Sequence, residues 1–314
     1  MVDARIDFSD QVAIVTGAGR GLGRLYALEL ARRGAAVVVN DVGSTMLGDG
    51  ADPSVADRVA AEIRESGGVA VSSHDSVDSP AGAHAIVDTA TEHFGRLDAV
   101  VSNAGIFQTR PFEDLSPSDW RRMLGVHLDG AFYLSRPAYR AMQAQRYGRF
   151  VFITSSAGLF GQPSSAHYAA AKAGLVGLAN VIAIEGAEHG VLANTVLPFG
   201  LSRMVSETLG PDAEYLRESE FLRAIRPELV VPMVIFLASR ACDFTHRNYS
   251  AAAGRFARVF IALAEGWLGD RERAPTADDI AANIEQMSAV EPYTVPASIF
   301  DEVAGICTRL GITA

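Results

Sequence analysis

A glycine-rich loop between an apolar strand and a helix constrains the fold of this chain more than any other stretch. Residues 11–16 (QVAIVT) have the composition of a buried parallel strand, and GAGRGLG follows at once. A helix is predicted from about Leu22 to Arg33, ended by Gly34, and Ala35–Asn40 is predicted as a second strand. Strand, glycine loop, helix and strand in this order predict a nucleotide-binding βαβ unit.

The glycines of this loop are spaced as T-G-x-x-x-G-x-G. Glycines at these places let the backbone approach a pyrophosphate, which binds at the N-terminus of the following helix. The alternative is that they only allow a tight turn, and the flanking strand and helix argue against it. The residues expected to contact the cofactor here are Gly17, Arg20, Gly21, Leu22 and Gly23.

Asp41 stands directly after the second predicted strand and favours one of the two nicotinamide dinucleotides. A carboxylate at this place can accept both hydroxyls of an adenosine ribose and would repel a 2′-phosphate. Val42 follows where an NADP-binding enzyme would more often have arginine. Arg20 is a possible counter-signal, although it can equally be a solvated loop residue. The sequence therefore predicts NAD as the cofactor.

The alternation of helices and strands continues beyond Asp41. Helices are predicted over Val55–Glu65 and Ala81–Phe94, and strands over Val69–Ser73 and Leu97–Ser102. Repeated βα units without a linker predict a single α/β domain, residues 1–314, with a doubly wound parallel β-sheet of the Rossmann type.

Polar residues follow the strand ends of this predicted sheet. Asp75 follows the third strand and Asn103 the fourth. Strand ends of a parallel sheet meet at one edge, where ligands bind. We therefore expect these residues near the glycine loop and Asp41.

Tyr168 and Lys172 form a pattern suited to proton transfer by a phenol. The apolar strand Phe150–Ile153 leads to Ser155, and an alanine-rich helix then carries the tyrosine and, four residues on, the lysine. The ammonium and the positive helix end are expected to lower the tyrosine pKa from about 10. Ser155 could hydrogen-bond the substrate oxygen with which Tyr168 exchanges a proton. The alternative is a surface tyrosine and lysine on an amphipathic helix, because Y-x-x-x-K is common by chance.

Taken together, these segments resemble the short-chain dehydrogenase/reductase family. The shared motifs, in the family's order and at about its intervals, are TGAGRGLG (16–23), NAG (103–105), Ser155, Y-x-x-x-K (168–172) and residues 194–198. Within the family, the chain more closely resembles the 3-hydroxyacyl-CoA dehydrogenase part of peroxisomal multifunctional enzymes, also called 17β-hydroxysteroid dehydrogenase type 4. This closer resemblance rests on VVVNDVG (37–43), VHLDGAF (126–132), GLANVIAIEG (177–186) and SRM (202–204).

The resemblance implies a role for each of the shared residues. Ser155 would polarise a carbonyl, Tyr168 would be the general acid/base, and Lys172 would bind the nicotinamide ribose and lower the tyrosine pKa. Further cofactor contacts are implied for Asp75, Ser76, Asn103, Ala104, Gly105, Pro198 and Gly200. Asp75 and Ser76 would contact adenine.

His127 departs from the wider family, which has an asparagine there that helps to hold a proton-relay water. A histidine can donate and accept hydrogen bonds, so a relay survives only with the right tautomer. A helix histidine bonded to a backbone carbonyl is an equally good interpretation of this residue.

The composition argues against several kinds of partner. A formal net charge of -10 argues against nucleic acid and anionic membrane. Two cysteines make neither a disulfide framework nor a metal-binding spacing, and the other histidines are scattered, so we expect no metal and a reducing, cytoplasmic location. The polar N-terminus does not resemble a signal peptide, and the longest apolar run, residues 229–238, is too short to span a bilayer, so no membrane insertion is expected.

The segments beyond the catalytic motif concern substrate and partners. Long helices are predicted over Trp120–Gln145 and Ala166–Glu188. Family helices of this kind pair across a two-fold axis, which implies a homodimer or homotetramer. Their apolar stripes could equally be ordinary core, and they comprise Leu124, Leu128, Phe132, Leu175, Leu178 and Ile182.

Residues 201–225 are predicted as a helical lid that selects the substrate. Four arginines lie in or near it, Arg203, Arg217, Arg223 and Arg226. They could meet the phosphates of coenzyme A, or they could simply be solvated.

Residues 247–314 are predicted as a C-terminal extension packed on the sheet domain. Residues 249–253 are expected to supply the seventh strand and residues 255–264 an added one. A capped helix is predicted over 276–287.

These features predict an NAD(H)-dependent oxidoreductase that interconverts a secondary alcohol and a ketone. The resemblance favours a 3-hydroxyacyl-CoA as substrate, with a hydroxysteroid or another apolar alcohol as the next choice. A carrier-protein-linked 3-oxoacyl reductase is disfavoured by Asp41, because such enzymes usually prefer NADPH. A non-catalytic, NAD-binding regulatory protein is a further alternative, with the substituted His127 in its favour and intact Ser155, Tyr168 and Lys172 against it.

Overall fold

The strands predicted from the sequence lie side by side in one sheet of eight strands. The computed structural model describes residues 6–201 and 219–312. The strands of the sheet are β1 (Val12–Thr16), β2 (Ala36–Asn40), β3 (Val69–Ser73), β4 (Ala99–Ser102), β5 (Gly148–Ile153), β6 (Val191–Phe199), β7 (Arg247–Ala252) and β8 (Arg255–Val259). Their spatial order is β3-β2-β1-β4-β5-β6-β7-β8, and β1 to β7 run parallel.

The strand order reverses next to β1, which pairs with β2 on one side and β4 on the other. All five residues of β1 are buried, as expected for a strand that has helices on both faces of its sheet. Chains leave β1 and β4 in opposite directions, so a crevice opens at their carboxyl ends. The fold therefore places the binding site at this edge.

Helices cover both faces of the sheet. They are α1 (Gly21–Arg32), α2 (Ser54–Glu65), α3 (Pro80–Phe94), α4 (Pro117–Leu124), α5 (Gly130–Gln145), α6 (Ser156–Phe160), α7 (Ala166–Gly186), α8 (Glu220–Ala224) and α9 (Val231–Ala238). One core lies between the sheet and α1, α2 and α9, with Tyr26 and Ile63 fully buried in it. The other lies under α3, α5 and α7, with Leu134 and Leu175 buried in it. The predicted doubly wound sheet is confirmed.

Local sequence explains where several helices begin and end. Ser79 caps α3 by accepting a hydrogen bond from the amide of Gly82, Pro80 occupies its first turn, and Gly95 ends it with φ of 74°. The predicted helix over 120–145 begins at Pro117 and contains a π-helical turn, Gly125–Asp129, between α4 and α5. This turn includes the buried His127.

The chain divides into two compact units, residues 1–258 and 259–314. The predicted seventh and added strands are β7 and β8 of the first unit, and the two-residue turn Ala253-Gly254 has positive φ at both residues. Such a turn joins antiparallel strands, so β8 returns along β7. The packing of the C-terminal extension on the sheet domain stays a prediction.

The second unit contains short elements of its own. These are β9 (Leu263–Ala264), α10 (Ala277–Ala282), α11 (Ile284–Ser288), β10 (Tyr293–Thr294) and α12 (Ile299–Leu310). β9 and β10 pair antiparallel. Thr276 and Asp279 form a capping box at the start of α10, so the predicted cap is confirmed, while Asn283 divides the predicted helix into two.

Among the described helices, residues 166–189 are long and apolar enough to cross a membrane by length and composition alone. In this fold the helix packs against β6 and has Ala171, Leu175 and Ala183 buried in the domain. The core helices of globular proteins pass the same test of length and composition.

Asp98 ties the start of β4 to β1 through a fully buried carboxylate. It accepts hydrogen bonds from the amide of Val12 at 2.8 Å and from Arg96 at 2.8 and 2.7 Å. Asp98→Ala would leave the buried amide and the guanidinium without this acceptor. We expect it to lower the free energy of unfolding by about 3 kcal/mol, measured by urea denaturation with circular dichroism.

Asp88→Ala is the matched control, because the Asp88 carboxylate is exposed and lies 3.5 Å from His84. An exposed pair of this kind contributes less than about 1 kcal/mol. Equal losses in the two variants would contradict the structural role of Asp98.

Candidate active site

The glycine loop is held against the end of β4 by two residues, Thr16 and Asn103. The Thr16 hydroxyl accepts hydrogen bonds from the amides of Asn103 and Ala104, both at 3.0 Å. The Asn103 side-chain amide donates to the carbonyl oxygens of Thr16 at 2.9 Å and Gly17 at 3.2 Å. The carboxyl ends of β1 and β4 are thereby joined at the point where the strand order reverses.

Two of the loop glycines are required by close approach. A Cβ on Gly23 would lie 2.1 Å from the carbonyl oxygen of Gly17, and one on Gly17 would lie 2.9 Å from the Cα of Ala104. Gly17 also has a φ of 63°, which favours glycine. The glycines therefore let the loop pack closely on itself and on Ala104. The cavity opens beside this loop at the start of α1.

Asp41 lies at the end of β2 with its carboxylate fixed by backbone amides. One oxygen accepts from Gly19 at 2.9 Å and the other from Gly43 at 2.7 Å. Each carboxylate oxygen keeps a second lone pair that can accept a ligand hydroxyl. The guanidinium of Arg20 donates to the carbonyl of Ser44 at 3.0 Å.

The end of β3 is organised by the side chain of Asn40. Its amide donates to the carbonyl oxygen of Ser73 at 3.3 Å and to that of Asp75 at 2.9 Å. Asp75 and Ser76 are held beside the end of β2 and line the same cavity as Asp41. This arrangement agrees with the adenine contacts that the sequence resemblance implies.

Ser155, Tyr168 and Lys172 meet on one wall of the cavity. Ser155 ends the segment after β5, and its hydroxyl accepts a hydrogen bond from the amide of Ala157. Tyr168 and Lys172 lie on α7 and are 7% and 4% exposed. The lysine ammonium donates to the carbonyl of Ile153 at 2.6 Å and lies 5.7 Å from the centre of the tyrosine ring.

Burial moves the pKa values of both α7 groups away from their ordinary values. Burial raises the pKa of Tyr168 to about 12, although its hydrogen bond with Ser155 acts in the opposite direction. Burial lowers the pKa of Lys172 to about 7. The expectation that the lysine lowers the tyrosine pKa is therefore not met, because desolvation of the buried phenol is the largest effect.

His127 is 3% exposed and faces the end of β4. Its Nε2 atom lies 2.7 Å from the carbonyl oxygen and 3.2 Å from the amide nitrogen of Ile106. Burial lowers the pKa of His127 well below its usual value, and the nearby Lys172 charge adds to this. The residue is thus a neutral imidazole bonded to a backbone carbonyl, which is one of the two interpretations given by the sequence.

All the predicted site residues line one cavity of about 770 Å³. They are Gly17, Arg20, Gly21, Leu22, Gly23, Asp41, Asp75, Ser76, Asn103, Ala104, Gly105, His127, Ser155, Tyr168, Lys172, Pro198 and Gly200. One end of this cavity is lined by the glycine loop and Asp41 and the other by Tyr168, and no wall separates the two ends.

The residues present fit a nicotinamide dinucleotide. Gly17, Gly21 and Gly23 line the cavity at the N-terminus of α1, which is the kind of place where a pyrophosphate binds. The fixed carboxylate of Asp41 lies beyond it, as a ribose requires. Tyr168 and Lys172 lie in the same cavity, where the reactive ring would be held.

The wall of the cavity that holds Ser155, Tyr168 and Lys172 is called the tyrosine wall. Sequence reasoning missed several residues that shape it. Phe107 packs edge-on against the Tyr168 ring, and its amide donates to the carbonyl of Met46 in the loop after β2. Phe160 and Phe221 line the cavity with side chains 70% and 55% exposed. Only the position of Phe107, two residues after the NAG motif, could have indicated its role.

Some sequence predictions lie outside the described residues. Residues 202–218 hold most of the predicted lid, including Arg203, Arg217 and the SRM segment. Of the predicted lid, the structure describes residues 201 and 219–225, with α8 in contact with the cavity through Phe221 and Leu222.

The chemistry available at this wall is proton transfer at a substrate oxygen. The Tyr168 phenol and the Ser155 hydroxyl line the same cavity, where both can approach one substrate oxygen, and the amino group of Lys172 is fixed nearby by a backbone carbonyl. Within residues 6–201 and 219–312, no three histidine, cysteine, aspartate or glutamate side chains gather as metal ligands would.

Comparisons with known proteins agree with this geometry. Residues 11–212 match the family described as short chain dehydrogenase. The chain is 38% identical over 300 residues to the peroxisomal multifunctional enzyme type 2 of Mus musculus, covering 95% of this chain and 39% of that one. It is 39% identical over 245 residues to a hydroxyacyl-CoA dehydrogenase of Mycobacterium tuberculosis, covering 75% and 74% of the two chains.

A solved structure gives the same result. The full-length peroxisomal multifunctional enzyme type 2 from Drosophila melanogaster superposes with a TM-score of 0.79 at 30% identity, covering 98% of this chain and 50% of that one. The chain thus spans 39% of the mouse enzyme's length and 50% of the Drosophila chain. The resemblance to these enzymes that the sequence indicated is confirmed.

The family match covers the glycine loop and the Ser155, Tyr168 and Lys172 wall, and so this chain belongs to the short-chain dehydrogenase family and is a nicotinamide-dependent oxidoreductase.

Proposed function

We propose that the protein uses NAD(H) to interconvert a secondary alcohol and a ketone, and that its substrate is a 3-hydroxyacyl-CoA thioester. The observation that carries the proposal is the continuity of one cavity from the fixed carboxylate of Asp41 to the Ser155 and Tyr168 wall. The substrate class is supported by the relative named as a hydroxyacyl-CoA dehydrogenase.

A bound nicotinamide supplies or accepts the hydride at the substrate carbon. Tyr168 gives a proton to the substrate oxygen in ketone reduction and takes it in alcohol oxidation. Ser155 donates a hydrogen bond to the same oxygen and stabilises the charge that develops on it. Lys172, held by the carbonyl of Ile153, places its amino group below the phenol, and burial lowers its pKa to about 7, so its positive charge there is lost as the pH rises above that value. A part for His127 in a proton relay stays a prediction.

The choice of NAD over NADP is supported by Asp41 and Arg20. The carboxylate is fixed by two amides, so it cannot turn away from a 2′-phosphate placed beside it. The guanidinium, the possible counter-signal, is bonded to the carbonyl of Ser44.

We also propose that the chain forms a homodimer or homotetramer through α5 and α7. Leu175 and Ile182 of the predicted stripes are core residues, whereas Phe132 is 43% exposed. Val181 and Ile184 on α7 are 52% and 49% exposed. Apolar side chains at such places suit a second copy of the same helices.

A cytoplasmic location is proposed from the low cysteine content of the chain. The two cysteines, Cys242 and Cys307, are free. The relatives named as peroxisomal show where those proteins reside. Fluorescence microscopy of the tagged full-length protein distinguishes the two locations.

Tyr168→Phe is expected to lower kcat for oxidation of a 3-hydroxyacyl-CoA by at least about 100-fold, because proton transfer is lost. The dissociation constant for NAD+ should change little. Steady-state rates and isothermal titration with NAD+ measure the two effects. Tyr26→Phe is the control, since Tyr26 is buried in the core outside the cavity and no described group hydrogen-bonds its hydroxyl.

The substrate assay includes a 3-hydroxyacyl-CoA, a 17β-hydroxysteroid, a simple secondary alcohol and a carrier-protein thioester with NADPH. Turnover of the steroid alone would replace the proposed substrate with the hydroxysteroid alternative. Reduction of the carrier-protein thioester with NADPH would contradict the cofactor choice. Tight NAD+ binding with no turnover on any substrate would favour the regulatory alternative.

Asp41→Asn is expected to lower the ratio of kcat/KM for NAD+ to that for NADP+ by at least about tenfold. The variant keeps the shape of the side chain but removes the negative charge that repels the 2′-phosphate. Initial rates with each cofactor give the ratio. Asp57→Asn is the control, because that exposed carboxylate is bonded to Ser72 and His74 and does not line the cavity. An unchanged ratio in Asp41→Asn would assign cofactor choice to other residues.

Val181→Asp is expected to shift the assembled protein towards monomer in sedimentation velocity, because a charge would be buried in the proposed interface. Val69→Asp is the control, since Val69 is also exposed, at 53%, but lies at the start of β3. A wild-type monomer at micromolar concentration would contradict the proposed oligomer, as would equal dissociation of the two variants.

A further inference from the structure

The ring of Tyr168 is contacted edge-on by two other buried rings. Phe107 lies 5.0 Å away between ring centres with an interplanar angle of 87°, and His127 lies 5.3 Å away at 88°. Edge-to-face packing at these distances is the favoured geometry for aromatic pairs. The phenol is thereby confined by rings from two separate segments of the chain.

His127 is itself fixed by the backbone of Ile106. The Nε2 atom of the ring lies 2.7 Å from the carbonyl oxygen and 3.2 Å from the amide nitrogen of Ile106, so the imidazole is bonded to this residue in either neutral tautomer. The ring also packs against Gly105, where a Cβ would lie 2.3 Å from the imidazole Cε1 atom. The histidine ring can occupy this place only because residue 105 has no side chain.

Phe107 is fixed from the opposite direction by the loop after β2. Its amide donates to the carbonyl oxygen of Met46 at 2.9 Å. The same loop supplies the Gly43 amide that binds the Asp41 carboxylate, and Asp49 at its far side forms an ion pair with Arg122 of α4. The segment that carries Phe107 is thus connected to the cofactor-binding end of the cavity.

We propose that Phe107 and His127 are positioning residues that hold the Tyr168 ring in its reactive orientation. The proposal rests on the proposed role of Tyr168. Neither residue transfers a proton in it; each acts by restricting the rotation of the tyrosine side chain. The hydrogen bonds of Ile106 to His127 and of Phe107 to Met46 keep the two rings in place.

A general acid must lie within hydrogen-bond distance of the oxygen that it protonates, and displacement of about 1 Å can cost up to about 100-fold in rate. Tyr168 lies in a small buried cluster that also holds Met123 and Ala157. Within this cluster, Phe107 and His127 are the two rings that pack edge-on against the phenol ring. Rotation of the tyrosine ring would bring it into these two flat surfaces, so the ring contacts restrict its orientation.

The test compares Phe107→Leu, which keeps most of the side-chain volume but removes the ring, with His127→Gln, which keeps an amide donor for Ile106 but removes the imidazole. Each is expected to lower kcat for alcohol oxidation about tenfold per active site, with KM for NAD+ changed by less than about twofold. Active sites are counted by NAD+ titration, so that misfolded protein does not enter the rate.

A pH profile separates positioning from a merely structural role. Burial raises the pKa of Tyr168, so Phe107→Ala, which admits water to the phenol, is expected to shift the apparent pKa of kcat downward. Among the described residues, the titratable groups that contact the Tyr168 ring are Lys172 and His127, and His167 precedes the tyrosine on α7. None of these is changed in the Phe107 variants.

Two matched variants serve as controls. His93→Gln removes an exposed histidine whose ring is also bonded to a backbone carbonyl, that of Thr89 at 3.0 Å. Phe112→Leu removes a phenylalanine that is 78% exposed. Both are expected to keep the wild-type kcat and pH profile.

Wild-type kcat in both Phe107→Leu and His127→Gln, or a wild-type pH profile in Phe107→Ala, would overturn the proposal while leaving the proposed function intact. A rate loss that disappears when rates are divided by titrated active sites would overturn it as well. If Tyr168→Phe keeps full activity, the proposed function itself is wrong, and the positioning proposal fails with it.

Discussion

The hydrogen bonds that join the ends of β1 and β4 are the interaction on which the rest of the site depends. The Thr16 side chain accepts hydrogen bonds from the backbone amides of Asn103 and Ala104, and the Asn103 side chain donates to the backbone carbonyl of Thr16. These bonds cross the point where the strand order reverses. Buried backbone groups must be paired somewhere, and here side chains pair them instead of further sheet. The two strands can therefore stop at the same level and leave a crevice, with the glycine loop on one side and the NAG segment on the other.

The tyrosine wall is built at a cost in stability. Lys172 is buried without a carboxylate among its described hydrogen-bond partners, and its pKa falls from 10.5 to about 7. Between these two values the unfolded chain binds more protons than the folded one, so this group makes stability rise with pH across that interval. Below about pH 7 its destabilising effect is complete. Perturbed groups of this kind collect at functional sites, where the surrounding fold must offset their cost.

The sequence was sufficient for the parts of the site that local physics determines. The spacing of Gly17 and Gly23 predicts the loop because the glycines stand between a strand and a helix of one βαβ unit, although the contact of Gly17 with Ala104 lies far along the chain. Tyr168 and Lys172 are one helical turn apart, so their common face follows from helix geometry. The helix over 120–145 was predicted without its π-helical turn, which carries the buried His127 and has no signal in the apolar pattern. The direction of the Tyr168 pKa shift was also wrong, since it depends on burial by residues distant in the chain.

The long loop after β2 shows why such contacts escape prediction. Its residues from Gly43 to Asp52 are polar and glycine-rich, and a pattern of this kind predicts only a surface connection. In the structure the Gly43 amide of this loop donates to the Asp41 carboxylate, and the Met46 carbonyl accepts from the Phe107 amide. Asp49 of the same loop forms an ion pair with Arg122 of α4. The Asp41 carboxylate and the Phe107 ring against Tyr168 are consequently held by one continuous piece of backbone. Restricting that backbone at Gly43 restricts it at Met46 as well, because the two attachments are only three residues apart.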